Sequence, residues 1–176
     1  MHVDLAPYLD SWPADNVSAA LVGTHTGTYG DAERVYELAS VTKLLSAYGF
    51  LLAIEEGAFE LDTPCGPEGA TVRHLLAHAG GVGFDTRELQ KPVGERRIYS
   101  SAGYEILADF LEEETGIGFG EYMREGVFEP LGMRTAEVYG SAGHGGRASI
   151  SDLALFAGEL LEPQLLAQET LREAFA

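Results

Sequence analysis

The longest apolar run in the chain is Leu38 to Ile54, LASVTKLLSAYGFLLAI, in which Lys43 is the only charged residue. Apolar side chains fall on nearly every side of a helix drawn through it, which predicts a buried helix. Glu55-Glu56-Gly57 closes the run with a glycine stop. Upstream, residues 4 to 12 read as a short amphipathic helix with Leu5, Tyr8, Leu9 and Trp12 on one side, stopped by Pro13. Val17 to Val22 and Glu33 to Leu38 are β-type runs separated by turn residues, and together they predict an antiparallel hairpin leading into the long helix.

Downstream the periodicity is helical almost throughout. Thr71 caps a short helix carrying Val72, Leu75 and Leu76, and His78 to Gly83 must be a tight turn or loop. Ile106, Leu107, Phe110 and Leu111 recur at helical spacing up to Thr115-Gly116. Phe119 to Phe128 predicts another amphipathic helix, stopped by Pro130 and Gly132. The glycine-rich stretch Gly140 to Gly146 is either mobile or packed close to another backbone. Ser149 or Ser151 caps a last clear helix with Leu153, Leu155, Phe156, Leu160 and Leu161, broken by Pro163, and the remaining residues look helical. Only two runs are convincing strands, and an isolated hairpin is marginal without further strands or a helical cover.

With 176 residues and 45% hydrophobic content, the chain suits one domain. It divides into residues 1–55, a hairpin with the long helix, and 56–176, a mainly helical lobe. Twenty-eight acidic against eleven basic residues give a net charge of −17, which argues against nucleic acid or an anionic membrane as partner. The single cysteine, Cys65, lies in turn-like sequence without a basic neighbour and reads as structural or incidental. Neither a secretory signal nor a run of membrane-spanning length is visible, so the expected location is the cytoplasm.

Candidate chemistry centres on Ser40 and Lys43. Three residues apart at the start of the long helix, they share a face, which brings amine and hydroxyl within reach. Local rules would not choose this lysine, because a cation in the first turn opposes the helix dipole and burial penalises the ammonium. Both effects predict a lowered pKa, toward a usable base. The plainer reading is that Ser40 only caps the helix and Lys43 snorkels to the surface. His74 and His78 also stand at a spacing that two zinc ligands use, but no Glu follows His74 as an HExxH site needs. No metal or cofactor is therefore expected.

Further landmarks join that pair. His74-Leu75-Leu76-Ala77-His78-Ala79-Gly80-Gly81-Val82 resembles a His-Leu-Leu-Thr-His-Thr-Ser-Gly-Leu segment, and Tyr99-Ser100-Ser101-Ala102-Gly103-Tyr104 resembles Tyr-Ser-Asn-x-Gly-Tyr. Glu129-Pro130-Leu131-Gly132-Met133 is similar to a Pro-Leu-Gly-Met turn. Gly145-Gly146 with Ser149, Ser151 and Asp152-Leu153-Ala154 resembles the start of a late helix. In this order, from residue 35 to about 161, they resemble the serine β-lactamase and penicillin-binding-protein superfamily, especially its class C β-lactamase and esterase-like branch. The resemblance implies an α+β, β-lactamase/transpeptidase-like fold, mostly helical with a small N-terminal antiparallel sheet.

The resemblance also implies roles. Ser40 would be the nucleophile that becomes an acyl-enzyme, Lys43 would help deprotonate it, and Tyr99 would relay protons. The substrate would be a small acyl compound: an ester, amide or β-lactam. Two departures stand out. The asparagine of the second motif is Ser101 here, a substrate-binding position with a shorter reach and no amide pair. The family's later strand with a Lys-Thr-Gly or His-x-Gly motif does not follow the late helix, so the C-terminal strands read as missing. His25-Thr26-Gly27 resembles that motif only superficially, from a different strand. The missing strand would donate one of two oxyanion N–H groups, and losing one costs on the order of a hundredfold to a thousandfold in rate. An exposed sheet edge would follow, open to pairing with a second copy as a homodimer. The alternative function is a catalytically inactive binding or interaction domain.

Overall fold

The computed structural model describes residues 1–176. Its elements in chain order are α1 (Ala6–Leu9), β1 (Ala19–Leu21), β2 (Gly27–Tyr29), β3 (Val35–Glu37), α2 (Thr42–Glu55), α3 (Val72–Leu76), α4 (Ala102–Thr115), α5 (Phe119–Met123), α6 (Glu129–Leu131), β4 (Glu137–Val138), β5 (Gly146–Ser149), α7 (Ile150–Leu161) and α8 (Gln168–Ala174). A 3₁₀ turn, Ala39–Val41, leads into α2, and a π-helical turn, Arg124–Phe128, joins α5 to α6.

The predicted hairpin is corrected. β1 pairs with β2, Ala19 opposite Tyr29, and the second β-type run becomes β3 in a different sheet of order β3-β5-β4. There Tyr36 lies opposite Ala148, more than a hundred residues away. The chain turns out of β2 at Gly30, whose φ of 75° is left-handed and whose absent side chain makes room for the Val17 carbonyl. The local pattern shows that two strands exist but not that each finds another partner. The outer side of β2 takes the N-terminus, with Val3 N–H donating to Thr26 O at 2.8 Å, while β1 pairs with β2 alone.

Three helix expectations also change. The first helix is one turn long, and Tyr8 and Trp12 lie on the surface, because Pro13 leaves too little chain to build a packed face. Ser40 is not a cap, since α2 begins at Thr42 and no side chain caps it. Pro130 does not stop the helix after Phe119, because it sits in the first turn of α6, where its missing N–H has no helical acceptor to lose. Gly132, left-handed at φ 73°, is the stop.

The core forms around α2, buried on nearly all sides as its composition requires. Phe50 lies between Tyr104 of α4 and Phe119 of α5, with ring centroids 6.0 and 4.9 Å away. Tyr48 meets Phe156 of α7 edge-on at 5.4 Å. Gly49 keeps the helix open to α5, since a Cβ there would stand 2.2 Å from Met123 Sδ. Thr71 and Ser149 cap α3 and α7 by accepting from the N–H groups of His74 and Asp152, and Gly116 ends α4 at φ 73°. Cys65 is buried, and burial, followed by the charge of Glu113, pushes its thiol up to about 12. No helix is long and apolar enough to cross a membrane.

Candidate active site

Ser40 occupies the 3₁₀ turn ahead of α2, directly after Ala39, whose φ of 44° is positive for a residue with a side chain. That conformation is uncommon, and the surrounding structure must hold it. Lys43 is only 5% exposed. Its Nζ donates to Ser101 Oγ at 2.9 Å, to the Gly143 carbonyl at 2.8 Å and to Ser40 Oγ at 3.4 Å. The lysine therefore does not snorkel: three acceptors meet its three protons, and they compensate the burial that looked unpaid along the sequence.

Ser101 is buried at the start of α4, where its N–H donates to the Phe84 carbonyl at 2.7 Å. The Gly140–Gly146 stretch packs close, which is the second of its two predicted states. A Cβ on Gly143 would come within 2.7 Å of Ser101 Cβ, and one on Gly146 within 2.8 Å of Thr42 Oγ1. Besides the Lys43–Gly143 bond, two hydrogen bonds hold this loop on α2, Gly146 N–H to Thr42 Oγ1 at 2.9 Å and Ser46 Oγ–H to the Ala142 carbonyl at 2.7 Å. Thr42, Ser46 and the Gly143 carbonyl are site-building groups that the motif reading missed. A signal existed for the first two, since Thr42, Ser46 and Gly49 form a stripe of small residues at helical spacing through the long apolar run.

Tyr99 completes the cluster. Its ring centroid lies 4.6 Å from Lys43 Nζ, 5.9 Å from the Arg97 guanidinium and 4.7 Å from the His78 ring. The residue is 40% exposed, so one side faces solvent. The facing Ser40 hydroxyl holds its phenol below the usual value; partial burial opposes this, and the Lys43 and Arg97 cations add to it. All four predicted residues, Ser40, Lys43, Tyr99 and Ser101, are thus brought together.

The histidines with zinc-like spacing do not share a helix face, because α3 ends at Leu76. His74 Nδ1 pairs with Thr71 Oγ1 at 2.9 Å, and His78 Nδ1 accepts the Ser100 N–H at 3.1 Å. No group of three His, Cys, Asp or Glu side chains stands close enough to hold a metal ion. His25-Thr26-Gly27 lies at the start of β2, where Thr26 bonds to Met1 and Val3.

An α+β fold of this order, with a serine and a lysine opening its buried helix, defines the class of β-lactamase and penicillin-binding-protein folds. The chain belongs to the Beta-lactamase family, whose model matches residues 18–176. A β-lactamase crystal structure from Mycobacterium bovis is 42% identical with a TM-score of 0.95, covering 98% of this chain and 65% of that one. Penicillin-binding protein 4* of Bacillus subtilis is 28% identical over 138 residues, covering 60% of this chain and 31% of that protein. The fold is also that of a D-amino acid amidase from Ochrobactrum anthropi, 18% identical with a TM-score of 0.77 over 89% of this chain and 67% of that one. The chain thus spans about a third of the Bacillus protein and 65% of the Mycobacterium one.

Proposed function

We propose that this chain is a serine hydrolase that works through an acyl-enzyme on an ester, amide or β-lactam carbonyl. The observation that carries the reading is the Lys43 ammonium, buried and donating at once toward Ser40, Ser101 and Gly143. A positive charge fixed 3.4 Å from Ser40 Oγ lowers the cost of an alkoxide there. Tyr99, as phenolate, takes the Ser40 proton while Oγ attacks the carbonyl carbon. The tetrahedral adduct collapses when the leaving group departs with the proton that Tyr99 returns. Water then gives a proton to Tyr99 and its oxygen to the acyl carbon. As the bond from that carbon to Oγ breaks, Tyr99 passes the proton to Oγ, which releases the acid and restores Ser40 and the phenolate. The Ser40 amide lies in a first helical turn, where donors have no partner within the helix, and is the oxyanion donor of this scheme.

Ser101 does part of what the longer asparagine does, since its hydroxyl reaches Lys43 at 2.9 Å, but it offers no amide to the substrate. In the same proposal the protein acts in the cytoplasm, and a second copy completes the sheet on the free edge of β1; sedimentation at the 18.9 kDa monomer mass would sink the dimer.

A panel of a chromogenic cephalosporin, a p-nitrophenyl ester and a D-alanyl anilide tests the reaction. At least one is turned over, and Ser40→Ala abolishes it. The sign of the pH dependence follows from Tyr99: the folded state favours its deprotonated form, so turnover rises with pH with a midpoint below the usual phenol value of about 10. Absence of turnover across the panel by folded protein favours a binding domain.

A further inference from the structure

His78 is a buried, titratable residue that the reaction scheme leaves without a role, and its backbone is unusual. Its φ is 60°, one of two positive values in the chain outside glycine. Such a conformation is maintained only when its surroundings over-determine it. Here they do, and both attachments lead to Tyr99. The His78 carbonyl accepts the Ile98 N–H at 2.8 Å, and its ring Nδ1 accepts the Ser100 N–H at 3.1 Å. The residues on either side of Tyr99 are thus tied to one histidine. The same ring lies 4.7 Å from the Tyr99 ring and is stacked at 5.4 Å on Tyr104.

We propose that His78 is the positioning residue of Tyr99: a neutral imidazole, with Nδ1 as acceptor and the proton on Nε2, clamps the backbone that presents the phenol to Ser40 and Lys43. The inference rests on the reading of Tyr99 as proton relay. Arg97 and Lys43 are the charges that face the ring, and Tyr99 and Tyr104 are the titratable groups packed on it. Burial first, then the Arg97 and Lys43 charges, holds the imidazole down at about 4, so Nδ1 is free to accept across the working range of pH. A base whose folded pKa is depressed adds stability that is whole above its unfolded value of about 6.5 and is lost as pH falls from there toward 4.

The test uses two substitutions and a readout that does not need turnover. His78→Asn keeps an acceptor near the Nδ1 position and tolerates a positive φ, whereas His78→Leu removes the acceptor. Tyrosine ring-carbon NMR, with the Tyr99 signal assigned by its loss in Tyr99→Phe, follows the phenol titration in each. The expected result is a Tyr99 midpoint that stays depressed in His78→Asn and returns toward that of an ordinary tyrosine in His78→Leu. Labelling of Ser40 by a fluorophosphonate falls by about tenfold or more in His78→Leu and within about threefold in His78→Asn, the former being part of a full general acid–base effect of about 10²- to 10⁴-fold. If His78→Leu does not fold, His78→Gly removes the ring while relieving the strained φ. An unchanged Tyr99 titration in the folded Leu or Gly variant would overturn the proposal. A shifted titration with no labelling of the wild type would instead remove the hydrolase reading and leave the clamp standing.

Discussion

Lys43→Met lowers the rate at which Ser40 is acylated by roughly 10²- to 10⁴-fold, while the fold persists. Methionine matches lysine in length and apolar stem but donates nothing, so Ser40 loses the charge 3.4 Å from its oxygen and Tyr99 loses the cation 4.6 Å from its ring. Two effects on stability oppose each other. The Gly143 carbonyl is left without its lysine, at a cost of about 1–3 kcal/mol. Against that, a buried ammonium no longer needs to be desolvated, and replacing buried charges by hydrophobes is often neutral or stabilising. The expected outcome in a thermal melt is a shift within about 5 °C of the wild type, given about 2–4 °C per kcal/mol for a chain of this length. A melting point lower by about 15 °C or more would show that the lysine is structural first.

Asp152→Ala has the opposite character, with a large effect on stability at a residue outside the cluster. Asp152 is buried in the first turn of α7, where Oδ2 accepts from the Thr135 N–H and hydroxyl, both at 2.6 Å, and Oδ1 accepts from the Arg134 N–H at 3.2 Å. Those bonds tie the segment before β4 to the helix after β5, and β5 carries Gly146 against Thr42 beneath Ser40. Alanine leaves these donors facing a void. With charge-assisted bonds worth about 1.5–3 kcal/mol each and strongly non-additive, the expected loss is roughly 3–4 kcal/mol. Asp152→Asn also destabilises, by roughly half as much, because its amide N–H₂ must meet a donor on one side. Urea denaturation measures both. An Ala variant within about 1 kcal/mol of the wild type, no more than a single neutral hydrogen bond contributes, would contradict this network.

What could be read from the sequence divides along physical lines. The long buried helix was legible because its apolar positions leave no polar face, and the caps of α3 and α7 because Thr71 and Ser149 act on residues three positions away. Ser40, Lys43, Tyr99 and Ser101 were legible as motif residues. Their surroundings were not: the Gly143 carbonyl that accepts a hydrogen bond from the lysine is a backbone group, which no residue type announces. Strand pairing failed for a similar reason. β3 shows a local β pattern, but β5, with the sequence Gly-Arg-Ala-Ser, shows none, and their pairing joins positions more than a hundred residues apart in the chain. The histidines at zinc spacing part company because the helix ends at Leu76, before the second of them, and His78 turns left-handed to meet Ser100.

The central claim is that Ser40 is a nucleophile made reactive by Lys43 and Tyr99. Incubation of the folded protein with a fluorophosphonate, followed by intact mass and peptide mapping, tests it most directly. One adduct per chain, located on Ser40, lost in Ser40→Ala and strongly slowed in Lys43→Met, is the predicted result. Folded protein that gains no adduct, or an adduct that persists in Ser40→Ala, would contradict it.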